Sequence, residues 1–245
     1  MNIVQQHGNR ASTSSSGSAD LLEALGCPFP PPTPGNTTLI PNTPFTFILA
    51  PHYHPTLAAT ASYRKALPFR TMFNVIGPLI NPAYPRGMVL GVAIPELGSA
   101  FAQALAEGGV DRAFVVCGCE KLDEISCAGP TRLWELRNGN IEERMIRPED
   151  FGLPTHPLSS VAGGTPKENA ASFKTLLSSG NDIPQDMIPL LDFVLLNASA
   201  LLVVAGVASD FVEGARLARE SIVSGRAWAA LEQFRDAGMV PAKKN

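Results

Sequence analysis

Between Thr46 and Cys117 the sequence repeats one unit: an unbroken apolar run, then a stretch with helical signals. Thr46-Phe47-Ile48-Leu49-Ala50, Met88-Val89-Leu90-Gly91-Val92-Ala93 and Ala113-Phe114-Val115-Val116-Cys117 carry no charge and no polar alternation. Runs of this kind are strands covered on both faces, as in parallel sheets. The segments between them read as helices. Pro55 to Leu67 starts with a proline tolerated in the first turn, and Glu96 to Glu107 is closed by Gly108-Gly109. The alternation predicts an α/β fold with a mostly parallel sheet flanked by helices. The pattern then changes. Residues 131–136 and 141–146 flank Arg137-Asn138-Gly139-Asn140, and the Asn-Gly step predicts a β-hairpin. From Lys167 the chain reads as a helical layer, over about 167–178, 186–205, 209–224 and 225–236.

Composition narrows the partners. Of 245 residues, 45% are hydrophobic and 17% charged, enough for a sizeable core in one domain spanning residues 1–245. A net charge of −3 gives no basic footprint, so nucleic acid is not expected as a partner and any anion site must be local. Four cysteines (Cys27, Cys117, Cys119, Cys127) have neither a disulfide-framework spacing nor a C-x-x-C pair, which favours a reducing, cytoplasmic setting. The charge-free stretch from Phe193 to Ser209 contains Asn197, Ser199 and Ser209, so it reads as a buried core helix and no membrane partner is expected. Seven prolines in residues 28–44 mark an insertion that is neither helix nor central strand.

Four stretches carry chemistry. His7-Gly8-Asn9-Arg10-Ala11-Ser12-Thr13-Ser14-Ser15-Ser16-Gly17-Ser18-Ala19-Asp20 gathers hydroxyls, glycines and polar groups ahead of Leu21-Leu22-Glu23-Ala24-Leu25. Free amides and hydroxyls at a helix N-terminus suit an anion, or a Ser-rich tail that merely caps the helix; Ser18 is the expected N-cap, and Gly26 the terminator. Leu122-Asp123-Glu124-Ile125-Ser126 follows a strand, at the sheet edge where ligands of open α/β folds bind. Its two carboxylates suit Mg²⁺ against phosphate, or a solvated loop. Pro51-His52-Tyr53-His54-Pro55, with Arg64 following, could line an aromatic pocket or hold a metal, and Arg64 has the fork that grips a carboxylate. Phe73-Asn74-Val75-Ile76-Gly77-Pro78-Leu79-Ile80-Asn81-Pro82 has no titratable group and reads as a rigid wall. No catalytic triad or other nucleophile is evident, so no residue is assigned as catalytic.

Taken in order, His-Gly-Asn-Arg with Ser-x-Gly-Ser-Ala-Asp, His-Pro, Phe-Asn-x-x-Gly-Pro-Leu-x-Asn-Pro and Leu-Asp-Glu-Ile-Ser closely resemble the anthranilate phosphoribosyltransferases, of the nucleoside-phosphorylase-like glycosyltransferases. Gly163-Gly164-Thr165-Pro166-Lys167-Glu168-Asn169-Ala170 looks like the family's Gly-Gly-x-x-x-x-Asn-Ala segment. The resemblance runs from His7 to about Leu231. It implies transfer of phosphoribose from phosphoribosyl pyrophosphate (PRPP) to anthranilate, with diphosphate leaving, in tryptophan biosynthesis. It places His7 and Asn9 at the anthranilate and ribose face, Ser18 on PRPP, His54 at the aromatic pocket and Arg64 on the anthranilate carboxylate. Gly77 and Pro78 would wall that pocket, and Asp123 and Glu124 would hold Mg²⁺. Two departures stand out. Gln6 replaces the family's lysine. The family's N-terminal helical region, which forms part of its homodimer, and its Gly-Thr-Gly-Gly-Asp loop have no counterpart, so the chain resembles the C-terminal two-thirds of a member and is expected to have little activity alone. A pyrimidine-nucleoside phosphorylase is disfavoured by Asn74 to Pro82. A non-catalytic nucleic-acid-binding relative is disfavoured by the retained His7-Gly8-Asn9-Arg10 and Asp123-Glu124 and by the acidic charge.

Overall fold

The computed structural model describes residues 3–11, 15–32, 43–59 and 76–239. In chain order its regular elements are β1 (Val4–Gly8), α1 (Ser18–Ala24), β2 (Phe45–Leu49), α2 (Ala50–Tyr53), α3 (Pro55–Ala59), β3 (Gly87–Gly91), α4 (Gly98–Glu107), β4 (Arg112–Gly118), β5 (Thr131–Arg137), β6 (Asn140–Ile146), α5 (Pro166–Ser178), α6 (Ile188–Val204), α7 (Phe211–Val223) and α8 (Arg226–Met239). Each apolar run is a strand, the hairpin is present, and the four C-terminal helices lie within a few residues of their expected bounds. Residues 33–42 of the proline-rich stretch and residues 60–67 of the helix expected from Pro55 lie outside the described residues. The chain divides into two compact units.

The first unit takes the described residues up to Ala83, then Gly163–Ser178, then those from Gly225 onward. Its two strands pair in parallel, with His7 opposite Ile48 and Gly8 opposite Leu49. The sequence pattern gives no sign of β1, because Val4-Gln5-Gln6-His7-Gly8 has a single large apolar residue. It is a strand because β2 offers it a ladder, a non-local cause. Ala19, Leu22, Cys27, Phe47, Leu49, Leu231 and Phe234 form the buried core here. Phe29 packs on Phe47 at 4.9 Å between ring centroids, and Phe45 meets Phe234 edge-on at 5.3 Å.

The second unit is Tyr84–Ala162 with Ser179–Ser224. Its sheet runs β3-β4-β5-β6, with β3 parallel to β4 and the hairpin antiparallel. The turn works because Asn138 and Gly139 both take positive φ, 50° and 81°, as a two-residue hairpin of this hand requires. Side chains alternate across the sheet. Phe114, Val116 and Leu133 face a core completed by Leu196, Ala200 and Val204 of α6 and by Phe151 and Phe211, whose rings stack at 4.3 Å. On the opposite face Trp134 lies directly over Gly98 of α4, where a Cβ would come within 2.2 Å of its ring.

α6 is the apolar stretch. With the turn before it, Gln185–Val204 is the one helix among the described residues long and apolar enough to cross a membrane by length and composition. Its packing explains the apolarity: Leu191, Leu195, Leu196, Ala200 and Val204 are all buried. Its polar residues are satisfied from inside. Asp192 meets His156 at 2.8 Å and Arg219 at 3.2 Å, and Ser199 Oγ donates to the Phe211 carbonyl at 2.7 Å.

Candidate active site

β1 delivers His7 and Gly8 to the loop that leads into α1. A Cβ on Gly8 would lie 2.6 Å from Ser18 Oγ and 2.8 Å from the Phe47 ring, so glycine is what lets Ser18 come up against the strand end. Ala19 N–H donates to the Asn9 carbonyl at 3.3 Å. His7, Asn9 and Ser18, separate in sequence, are therefore adjacent in the first unit.

The cap is not where the sequence places it. Gly17 is the N-cap and Ser18 is the first helical residue. Asp20 accounts for the shift. Its carboxylate accepts from Gly17 N–H and Ala11 N–H, both at 2.8 Å, and a charged acceptor outcompetes a hydroxyl for an amide. Those bonds hold the Asp20 carboxyl below the usual carboxylate range, Ala11 contributing first. Gly17 is also required sterically, since a Cβ there would lie 2.6 Å from Ala11 N. Two backbone amides of this loop are thus already occupied by the chain's own carboxylate. Gly26, with φ of 83°, ends the helix as expected. Arg10 pairs with Glu23 on the exposed side of this loop.

His54 follows α2, and its ring stands edge-on to that of His7, with centroids 5.2 Å apart. Nε2 of His7, Nε2 of His54 and Nδ1 of His52 are buried and have no hydrogen-bond partner among the described residues. Buried polar atoms are nearly always paired, so three such imidazole nitrogens in one unit offer hydrogen-bonding groups that a ligand could use. Burial, and then the neighbouring His54, push the His7 pKa down to about 4. His7 is therefore neutral near pH 7, with one ring nitrogen donating and the other accepting.

Gly77–Ile80 forms a 3₁₀ turn with Pro78 in its first positions. Asn81 ties that wall to β1: its Nδ2 donates to Gln5 Oε1 at 2.9 Å, and its Oδ1 accepts from Ala83 N–H at 3.0 Å. Gln5 points to the same side of β1 as His7, two residues on. Among the described residues nothing lies within 4 Å of a Cβ built on Gly77. Arg64 and residues 73–75 of the wall segment lie outside the described residues. The Gly163-Gly164 segment belongs to this unit as well. Asn169 of α5 accepts from Gly164 N–H at 2.7 Å and donates to its carbonyl at 3.2 Å, while Ser15 Oγ donates to that same carbonyl at 2.9 Å.

Asp123 and Glu124 belong to the second unit, on the loop after β4. Gly118 N–H donates to the Leu122 carbonyl at 2.8 Å, and Lys121 takes φ of 64°, which turns the chain back. Both carboxylate residues are solvent-accessible, whereas Ile125, Ser126 and Cys127 just after them are wholly buried. Burial by the dense surroundings, and secondly the like charge of Asp123, push the Glu124 carboxyl up to about 7. A cation shared by the pair would reverse both effects. Two adjacent accessible carboxylates fit Mg²⁺, which keeps several waters and completes its shell from ligand phosphate.

An α/β fold with a polar loop at a strand's carboxyl end and a partly buried imidazole pair in one unit, and a two-carboxylate loop in the other, belongs to a class that sequence comparison identifies. Residues 2–228 match the glycosyl transferase family, a/b domain, and the chain belongs to that family. Within it the similarity runs to the anthranilate phosphoribosyltransferases. That of Schizosaccharomyces pombe is 47% identical over 232 residues, 94% of this chain and 65% of the relative. That of Synechococcus sp. (strain WH7803) is 42% identical over 241 residues, 98% of this chain and 68% of the relative. The chain thus spans about two thirds of the length of these relatives. Among solved structures, anthranilate phosphoribosyltransferase from Saccharomyces cerevisiae in complex with PRPP and Mg superposes with a TM-score of 0.85 at 35% identity, over 96% of this chain and 65% of that one. The enzyme from Thermus thermophilus gives 0.86 at 39%, over 97% and 69%.

Two contributors to these sites escaped sequence reasoning. Gln5 had no signal of its own, whereas Asn169 is the asparagine of the Gly-Gly-x-x-x-x-Asn-Ala segment. Gly91 is a lone glycine within a strand pattern, which can flag a close backbone approach; what approaches it is Asp123.

Proposed function

We propose that this chain carries the anthranilate and metal subsites of a phosphoribosyltransferase that joins PRPP to the amine of anthranilate and releases diphosphate. The observation that carries the reading is the His7–His54 pair, two imidazoles whose buried Nε2 atoms have no hydrogen-bond partner among the described residues. The similarity to anthranilate phosphoribosyltransferases across 94% of the chain supports it.

The residues then divide the work. His7 and His54 line the aromatic acceptor and hydrogen-bond it, His7 as a neutral imidazole. Arg64 forks onto the anthranilate carboxylate, and Gly77-Pro78, held to β1 through Asn81 and Gln5, limit where the ring can sit. Ser18 and Asn9 meet the phosphoribosyl group. Asp123 and Glu124 would hold Mg²⁺, which when bound neutralises the departing diphosphate. As the amine nitrogen bonds to C1 of the ribose, the C1–oxygen bond to diphosphate breaks and the amine loses a proton. Orientation and electrostatics supply such a step without a covalent intermediate, in keeping with a set of residues that includes no nucleophile.

Isothermal titration of the purified chain with anthranilate, and separately with thymidine, tests the acceptor assignment. Heat with anthranilate alone is the expected result, and preference for thymidine overturns it. Arg64→Ala should weaken anthranilate binding by about 10- to 100-fold, the worth of a charged hydrogen-bonded pair; unchanged affinity would remove Arg64 from the pocket. A fluorescence assay with Mg²⁺, PRPP and anthranilate then reads turnover directly.

A further inference from the structure

Asp123 and Glu124 sit where the chain leaves the sheet, yet the backbone around them is fixed from two sides. On one side is Asn197, in the middle of α6. Its Oδ1 accepts from Ile125 N–H at 3.0 Å and its Nδ2 donates to the Ile125 carbonyl at 3.3 Å. The same Nδ2 also donates to the Phe193 carbonyl of its own helix at 3.0 Å. One side chain therefore pairs both backbone groups of the residue that follows Glu124 and ties them to the central helix of the unit. Ile125 itself is fully buried in the core. On the other side is Gly91, the last residue of β3. A Cβ at 91 would lie 1.7 Å from the Asp123 carbonyl oxygen and 2.4 Å from its carbonyl carbon. Its φ is not positive, so close approach, and not backbone conformation, requires glycine there. Any side chain at 91 would push Asp123 away.

An asparagine in a helix as apolar as α6 is expensive unless every polar atom is satisfied. Here that satisfaction is spent on one residue of one loop, next to the two carboxylates. We propose that Asn197 and Gly91 are positioning residues for the Asp123–Glu124 pair, Asn197 gripping the backbone after it and Gly91 seating the backbone within it. Groups that orient metal-binding carboxylates act on cation affinity without touching the cation. The inference rests on Asp123 and Glu124 being the cation-binding carboxylates.

The test uses the full chain and two readouts. Mn²⁺, standing in for Mg²⁺, is titrated by electron paramagnetic resonance with and without PRPP. Amide hydrogen exchange is followed in peptides covering residues 119–127. Asn197→Leu and Gly91→Ala attack the loop from opposite sides. Ser199→Ala is the control, because it removes a buried hydrogen bond from the same helix at a different loop. Both test variants should raise the Mn²⁺ Kd by about 10- to 100-fold and speed exchange in 119–127. Ser199→Ala should lower Tm while leaving both readouts at wild-type values. Wild-type Mn²⁺ affinity in both test variants, or an equal loss in Ser199→Ala, overturns the proposal. Should the wild-type chain take up no Mn²⁺, the cation assignment fails by itself. The clamp is then judged by exchange: acceleration confined to 119–127 supports it and unchanged exchange refutes it. Should Asn197→Leu not fold, Asn197→Ser and Gly91→Ala carry the same comparison.

Discussion

His7 offers the most direct check on the proposed acceptor end of the site. In the unfolded chain its imidazole has the ordinary pKa of 6.5; in the fold burial and then His54 bring it to about 4. At pH 5.5 an ordinary histidine is about 90% protonated, whereas one titrating near 4 is about 3% protonated. NMR of the imidazole Cε1–H resonances resolves that difference without any ligand. His54→Ala should recover only the smaller part of the shift, because burial is the larger cause. The same displacement acts on stability. Between pH 6.5 and 4 the unfolded chain binds a proton that the folded chain refuses, so stability falls as pH drops through that window and is flat above it. Undiscounted, the shift corresponds to about 3.4 kcal/mol. His7 is only partly enclosed, so solvent screening should reduce this to about 1–2 kcal/mol. Urea unfolding at pH 7.5 and 5.0, wild type against His7→Gln, isolates the contribution, since other titrating groups cancel in the difference. A His7 resonance titrating near 6.5, or a His7→Gln variant with unaltered pH dependence, would refute the claim that His7 is desolvated and neutral.

Three further outcomes follow from packing. Asp192→Ala leaves His156 and Arg219 without their shared buried partner and should cost about 3–5 kcal/mol in urea unfolding; Arg219→Ala, at a more exposed position, should cost clearly less, and an equal loss would argue against that division. Gly98→Ala sets a methyl against the Trp134 ring and should cost about 1–3 kcal/mol, with a changed tryptophan emission; an unperturbed spectrum would count against the contact. Gly17→Ala meets backbone atoms, which cannot rotate away, so it should loosen the Ala11–Asp20 loop and appear as faster amide exchange at Ala11, while intact protection there would contradict the loop geometry.

What the sequence discloses and what it hides divide along local and distant causes. The hairpin at Asn138-Gly139 and the strand Arg112–Gly118 are legible because turn chemistry and an apolar run lie within a few residues. β1 is not, because its ladder with β2 depends on a segment some 40 residues on. The family resemblance is what groups His7, Ser18, Asp123 and Glu124, and the sequence misplaces the cap by one residue, since only the folded loop brings the Asp20 carboxylate onto Gly17 and Ala11. Asn197 stands out as a polar residue in an apolar helix, yet nothing in the linear order names Ile125 as its partner.

The two units are interleaved along the chain, and this governs when either can be finished. The first unit's core joins Leu22 and Phe47 to Leu231 and Phe234, while the second is assembled from two stretches separated by α5, which belongs to the first. A ribosome must therefore release nearly all of the described chain before Phe45 gains its aromatic cover from Phe234. No single cut yields either unit as one contiguous fragment. Until synthesis reaches α8, the strand ladder beside His7 is a half-roofed apolar surface, exposed to chaperones and to aggregation.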